Sequence, residues 1–169
     1  MKKFLAILSS SLIGLMLATS ANAANPETVT AQVTFSDPIT ITLVDALRYG
    51  IIDQALSSET IIIAPNSSES GTGTGLLLGG ARGAANLTIG AVALQPITID
   101  VGTILPGPGY TLTSFMCNYA GGSDTACEGG YPETSVGSAA LLIGATLTGD
   151  TTAVPGTADG SFIVTITYQ

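Results

Sequence analysis

The sequence contains no histidine and no tryptophan, and its only lysines are Lys2 and Lys3. Without histidine there is no Ser-His-Asp or Cys-His catalytic machinery. Without a later lysine there is no Schiff-base or Ser-Lys chemistry beyond the first three residues. Charged residues make up 9% of the chain, where about a quarter is usual. Past Lys3 the only cations are Arg48 and Arg82, against 12 Asp and Glu, and the formal net charge is −8. No basic patch is available to neutralise phosphates, so nucleic acid is not an expected partner. An acidic surface also disfavours anionic membranes. Aromatic residues are few, at 5%, yet hydrophobic residues reach 46%, too many for a chain that stays disordered.

What is present begins with Met1-Lys2-Lys3, an apolar run from Phe4 to Ala18, and Ala21-Asn22-Ala23. That order of positive, apolar and small residues reads as a bacterial secretory signal peptide over residues 1–23, with an Ala-x-Ala cleavage site. The run falls short of the roughly 20 residues of a membrane span, and no membrane span is expected in the mature chain. The expected organisation is a signal peptide, 1–23, followed by one domain, 24–169. The expected location is the periplasm, then the cell surface, a fimbrium or the extracellular space.

Export places Cys117 and Cys127 in an oxidising compartment, so a disulfide between them is the default. It would close a short polar loop, Asn118 to Ala126. Two cysteines without histidine are a poor zinc set, and neither a metal nor another cofactor is expected.

Alternation with period two runs through most of the remainder, the signature of half-buried strands. Val29, Ala31, Val33 and Phe35 alternate with Thr28, Thr30, Gln32 and Thr34. After Asp37-Pro38 the pattern resumes at Ile39, Ile41 and Leu43. A turn and then a strand are expected through Leu47, Tyr49 and Ile51. Further strands are expected at Thr60–Ala64, Pro96–Val101, Tyr110–Met116 and Ser138–Leu147. The last is Ser161 to Gln169, with Phe162, Val164, Ile166 and Tyr168 on one face. Pro65–Gly75 reads as a loop, Gly79–Gly83 as a Gly-rich bend, Pro106–Gly109 as a turn and Asp150–Gly160 as a loop. Many short strands at turn-rich spacing predict an all-β fold, a sandwich or barrel.

Motifs for chemistry are sparse. Gly71-Thr-Gly73-Thr-Gly75 misses the nucleotide-loop spacing. The carboxylates are scattered beside turns, so a carboxylate-based hydrolase requires a facing pair that the sequence does not reveal, and an enzyme is not expected. Asp124 and Glu128 flank the cysteine loop, but no calcium-loop motif accompanies them. A self-contained secreted sandwich binding a carbohydrate or a protein would carry exposed aromatic residues in loops. Tyr119 and Tyr131, around the cysteine loop, are the candidates.

The ending Gly156-x-x-x-Gly160-x-Phe162-x-Val164-x-Ile166-x-Tyr168 resembles that of spore-coat-U-type, or archaic, chaperone–usher pilins. It is also similar to that of a related bacterial family of secreted domains with no assigned function. The opening strand and Leu47-Arg48-Tyr49-Gly50 resemble the start of the same family. The resemblance rests on these two ends.

It implies an immunoglobulin-like sandwich that lacks its last strand. A periplasmic chaperone would lend a strand, an usher would assemble the subunits, and the N-terminal extension of the next subunit would take the chaperone's place. On that pattern Val29, Ala31, Val33 and Phe35 form the donor strand. Gly156, Phe162, Val164, Ile166 and Tyr168 form the C-terminal acceptor edge, and the chain is a pilin-like structural subunit or surface protein. Residues 28–35 would show the same alternation as the first strand of a complete sandwich.

Overall fold

The structure, a computed structural model, describes residues 37–105, 107–150 and 158–169, together with Gln32 and Gly156. The chain divides into two units, residues 1–34 and 35–169, and every element below belongs to the second. The expected signal peptide and the donor residues Val29, Ala31, Val33 and Phe35 lie outside the described residues.

The fold is all-β. Its strands are β1 (Thr40–Asp45), β2 (Arg48–Ile52), β3 (Thr60–Ile63), β4 (Glu69–Ser70), β5 (Leu77–Gly83), β6 (Ala85–Gly90), β7 (Pro96–Leu105), β8 (Tyr110–Tyr119), β9 (Thr125–Ala126), β10 (Tyr131–Thr134), β11 (Ser138–Gly149) and β12 (Ser161–Tyr168). A 3-10 turn spans Thr72–Leu76. The larger sheet has the order β1-β6-β11-β3-β4, with β8 on the other side of β11 and β9 beside β8; the smaller has the order β10-β7-β12. The two form a sandwich. β2 and β5 pair only with each other, as a separate ribbon.

β11 organises the larger sheet. It pairs with β6 through Ser138–Ile143, with β3 through Ala145–Thr148, and with β8 along most of its length. Gly144 sits at the changeover, where an added Cβ would run into the backbone of Ile63 and Ala64. The glycine that interrupts an apolar run is therefore required by close backbone approach. Leu141, Ile143, Ala145 and Leu147 face the core from this strand. They meet Ile61 and Ile63 of β3, Leu87 and Ile89 of β6, and Ile97, Ile99 and Val101 of β7 in one buried cluster. Each such aliphatic side chain contributes about 1.5–3 kcal/mol by leaving water.

Two places break the simple alternation. In β8, Ser114 has φ 52°, and the register against β11 shifts between Gly144 and Thr146. This bulge changes the parity, so Leu112 on one side of it and Phe115, Cys117 and Tyr119 on the other all face inward. In β2, Gly50 has φ 80° and the register against β5 shifts on both sides of Ile51. Ile52 rather than Ile51 then turns toward the core, and Ile51 is left exposed. The expected alternation through Leu47, Tyr49 and Ile51 therefore stops at Tyr49.

Gly79–Gly83 is not a bend. It is most of β5, held in pairing by β2, because two glycines with positive φ let the strand follow an irregular partner. β9 and β10 were not signalled by any pattern in their short sequences. Cys117 and Cys127 form the disulfide, with Cα atoms 5.8 Å apart, and both are fully buried.

Candidate functional site

The smaller sheet ends at β12. Among the described residues nothing pairs with the far side of this strand. Backbone direction shows what that edge offers. The Gln169 N–H donates to the Pro96 carbonyl, and the Val101 N–H points away from β12, to the Cys127 carbonyl. Backbone groups alternate sides along a strand, so Thr165, Thr167 and Gln169 bond toward β7. The N–H and C=O groups of Val164, Ile166 and Tyr168 then face outward. Their side chains belong to the inward face with Phe162, whose ring meets that of Phe115 at 4.9 Å between centroids.

β1 ends the larger sheet in the same way. The Ala91 N–H donates to Gly137, on the β11 side, so Gly90 and Thr88 bond to their partners Thr40 and Thr42. The backbone groups of Ile41 and Leu43 are left facing outward. Their side chains are 40% and 62% exposed.

Between these edges lies an apolar groove of about 1300 Å³. Ile41 and Leu43 form one wall and Phe162 and Val164 the other; Ala85, Leu87, Leu112 and Leu147 line it from the larger sheet. Leu47 and the β2–β5 ribbon, through Ile51 and Leu78, flank it, and Ile51 and Leu78 are more than half exposed. Gly156 and Gly160 line it ahead of β12. The volume exceeds the roughly 300–1,000 Å³ of a small-molecule pocket. A row of unpaired backbone groups beside apolar pockets is suited to an extended segment of chain.

Tyr168, beyond the residues that line the groove, is held on two sides. The Tyr168 hydroxyl accepts the Val92 N–H at 2.8 Å and donates to the Asp37 carbonyl at 3.2 Å. This ties the last strand to the residues that lead into β1. On the ribbon side the Tyr49 hydroxyl donates to the Ala145 carbonyl at 2.8 Å. Burial, with Tyr110 nearby, pushes the Tyr49 phenol far above its ordinary range.

Four of the sequence-predicted acceptor residues thus lie on one strand. Phe162, Val164, Ile166 and Tyr168 sit on the inward face of β12, and Gly156 lies at the groove with φ 133°. The sequence pattern marks one strand of the ribbon, expected through Leu47, Tyr49 and Ile51, but neither its partner β5 nor the residues that line the groove from the larger sheet, which pattern alone does not distinguish from any other core.

Tyr119 and Tyr131 are corrected. Both are buried, at 4% and 6%, because they end β8 and begin β10 with their rings turned inward. Neither offers a loop surface for a sugar or a protein, and burial pushes the Tyr131 phenol far above its ordinary range. Asp124 and Glu128 serve their own loop. Asp124 accepts from the Asn118 amide at 2.8 Å, and Glu128 accepts the Phe115 N–H at 3.1 Å. Among the described residues no three His, Cys, Asp or Glu side chains group as metal ligands, and no helix is long and apolar enough to cross a membrane.

No curated protein and no solved structure matches the chain. A family model described as "Domain of unknown function (DUF4402)" matches residues 39–168, which takes in both groove walls, the ribbon, the middle of the chain and β12, but not residues 28–35. The chain belongs to the DUF4402 family.

Proposed function

We propose that this protein is a pilin-like structural subunit or surface protein, exported and assembled by strand donation, and not an enzyme. The observation that carries the reading is the apolar groove between the edges of β12 and β1, which have no partner strand among the described residues. Its walls present alternating side chains and outward backbone groups together, which is what β-augmentation needs. The donor is residues 28–35 of a second copy, with Val29, Ala31, Val33 and Phe35 filling the groove. A periplasmic chaperone holds the groove before assembly, and an usher orders the exchange. The disulfide and the low-charge surface suit the periplasm and the cell exterior. A self-contained module that binds a carbohydrate or a partner protein loses its best support, since Tyr119 and Tyr131 are buried.

The test compares purified residues 24–169 with a variant that also lacks 24–36. Ladders that survive mild detergent and heating, formed by the first and absent from the second, are the expected result. A first protein that stays monomeric and a truncation that unfolds would overturn the reading, since residues 28–35 would then complete their own sandwich.

A further inference from the structure

The turn between β6 and β7 is clipped to the turn between β10 and β11. The Leu94 N–H donates to the Ser135 carbonyl at 2.7 Å, the Ser135 N–H to the Gln95 carbonyl at 2.9 Å, and the Ala91 N–H to the Gly137 carbonyl at 2.9 Å. Leu94 sits at the tip of this clip with φ 62°, in the left-handed region that a bulky residue seldom occupies. It is 81% exposed, and Val136 on the neighbouring turn is 56% exposed. Neither belongs to the buried core or to the residues packed against it. The backbone strain at Leu94 thus brings the single copy no packing in return. Both turns are uncharged, Ala-Val-Ala-Leu-Gln-Pro over 91–96 and Ser-Val-Gly-Ser over 135–138. They can be covered without stripping water from a charge.

The same clip stands at the root of the N-terminal segment. The Tyr168 hydroxyl accepts the Val92 N–H at 2.8 Å and donates to the Asp37 carbonyl at 3.2 Å. A single oxygen therefore links Asp37 to the turn that carries Leu94. Only Ser36 separates Asp37 from Phe35, so the chain between them spans at most about 7 Å. When residues 28–35 of one copy lie in the groove of another, that short tether brings the accepting copy up against the Val92 turn. The direction in which the strand enters does not alter this.

Resting on the strand-acceptor reading above, we propose that Leu94 and Val136 form an apolar knob that packs on the copy accepting residues 28–35. The knob is a contact between the bodies of successive copies, additional to the donated strand. A leucine on a hydrogen-bonded turn has little backbone freedom left to lose when it is covered. The contact also accounts for a leucine where glycine or asparagine would suit the backbone better.

The test makes two measurements on residues 24–169: melting of the monomer, and the rate at which ladders break down in mild detergent at a fixed raised temperature. It compares the wild type with Leu94→Gly, Leu94→Asn, Leu94→Met and Val136→Ser. Glycine and asparagine suit a positive φ, so those two monomers should melt at or above the wild-type temperature. Their ladders should nevertheless break down about five- to twentyfold faster, as for the loss of most of one covered leucine side chain. Val136→Ser should act in the same direction by less. Leu94→Met keeps the apolar bulk, and its ladders should last to within about twofold of the wild type. A Gly or Asn monomer that melts several degrees lower would make Leu94 a support of the single copy and overturn the proposal. Gly and Asn ladders as durable as wild type overturn the knob while leaving strand donation standing. A wild type that forms no ladder overturns both.

Discussion

Replacing Tyr168 by Phe removes one oxygen and keeps the ring in place. That oxygen accepts the Val92 N–H at 2.8 Å in a partly buried setting and donates to the Asp37 carbonyl at 3.2 Å in an exposed one. Water can replace the exposed bond, so its loss contributes little. The Val92 N–H is left without its acceptor beneath the new phenylalanine, and an unsatisfied buried donor costs about 1–3 kcal/mol. A net loss of about 1.5 kcal/mol is expected. With an m-value of about 1.5 kcal/mol per molar urea, the midpoint should move down by about 1 M with an unchanged slope. The assay is urea unfolding of the monomer, followed by circular dichroism. Tyr168→Ala, which also opens a cavity, should cost about 3–5 kcal/mol. A Phe variant with the wild-type midpoint would refute the argument, because the hydroxyl would then not be what ties β12 to the entry into β1.

Three further outcomes follow from the packing. Replacing Cys117 and Cys127 together by Ser should lower stability by about 2–3 kcal/mol in denaturant melts, as expected for a short closed loop; no change would mean that the loop is already constrained when reduced. Phe115→Ala should cost about 3–5 kcal/mol, since the ring is fully buried and bridges β8 to Phe162 of the opposite sheet. Calorimetry or urea melts would check this, and a loss under 1 kcal/mol would mean the sheets are not held there. Burial raises the phenol pKa values of Tyr49 and Tyr131 in the folded state above the ordinary tyrosine value of about 10. The native state therefore keeps protons that the unfolded state releases. Their contribution is complete below about pH 10 and is lost as pH rises beyond it. Melts between pH 8 and pH 9 should agree, and the midpoint should fall by pH 11; a flat profile would contradict the burial of both phenols.

Part of this protein is visible in local sequence. Alternation reports which face of a strand is apolar, and that is a property of neighbouring residues. It accounts for the inward face Phe162, Val164, Ile166 and Tyr168 on β12, for the core face of β7 at Ile97, Ile99 and Val101, and for the all-β class. Loop proximity and compartment chemistry likewise anticipate the Cys117–Cys127 bridge.

The rest depends on which distant segment lies alongside, and alternation carries no record of that. Ser114 and Gly50 shift parity because their partners β11 and β5 impose bulges, so Ile51 turns out and Ile52 turns in. The glycines of β5 become a strand only because β2 pairs with them. Tyr119 and Tyr131 look like loop aromatics in sequence, yet the closing of two sheets buries them. That β12 and β1 end their sheets among the described residues, that a groove lies between them and that Arg48 meets Arg82 are long-range events. Composition and period determined a β chain with apolar strand faces; only tertiary pairing decided that two of those faces stand opposite each other with no partner strand among the described residues, because hydrogen-bond partners across a sheet are chosen by the whole chain.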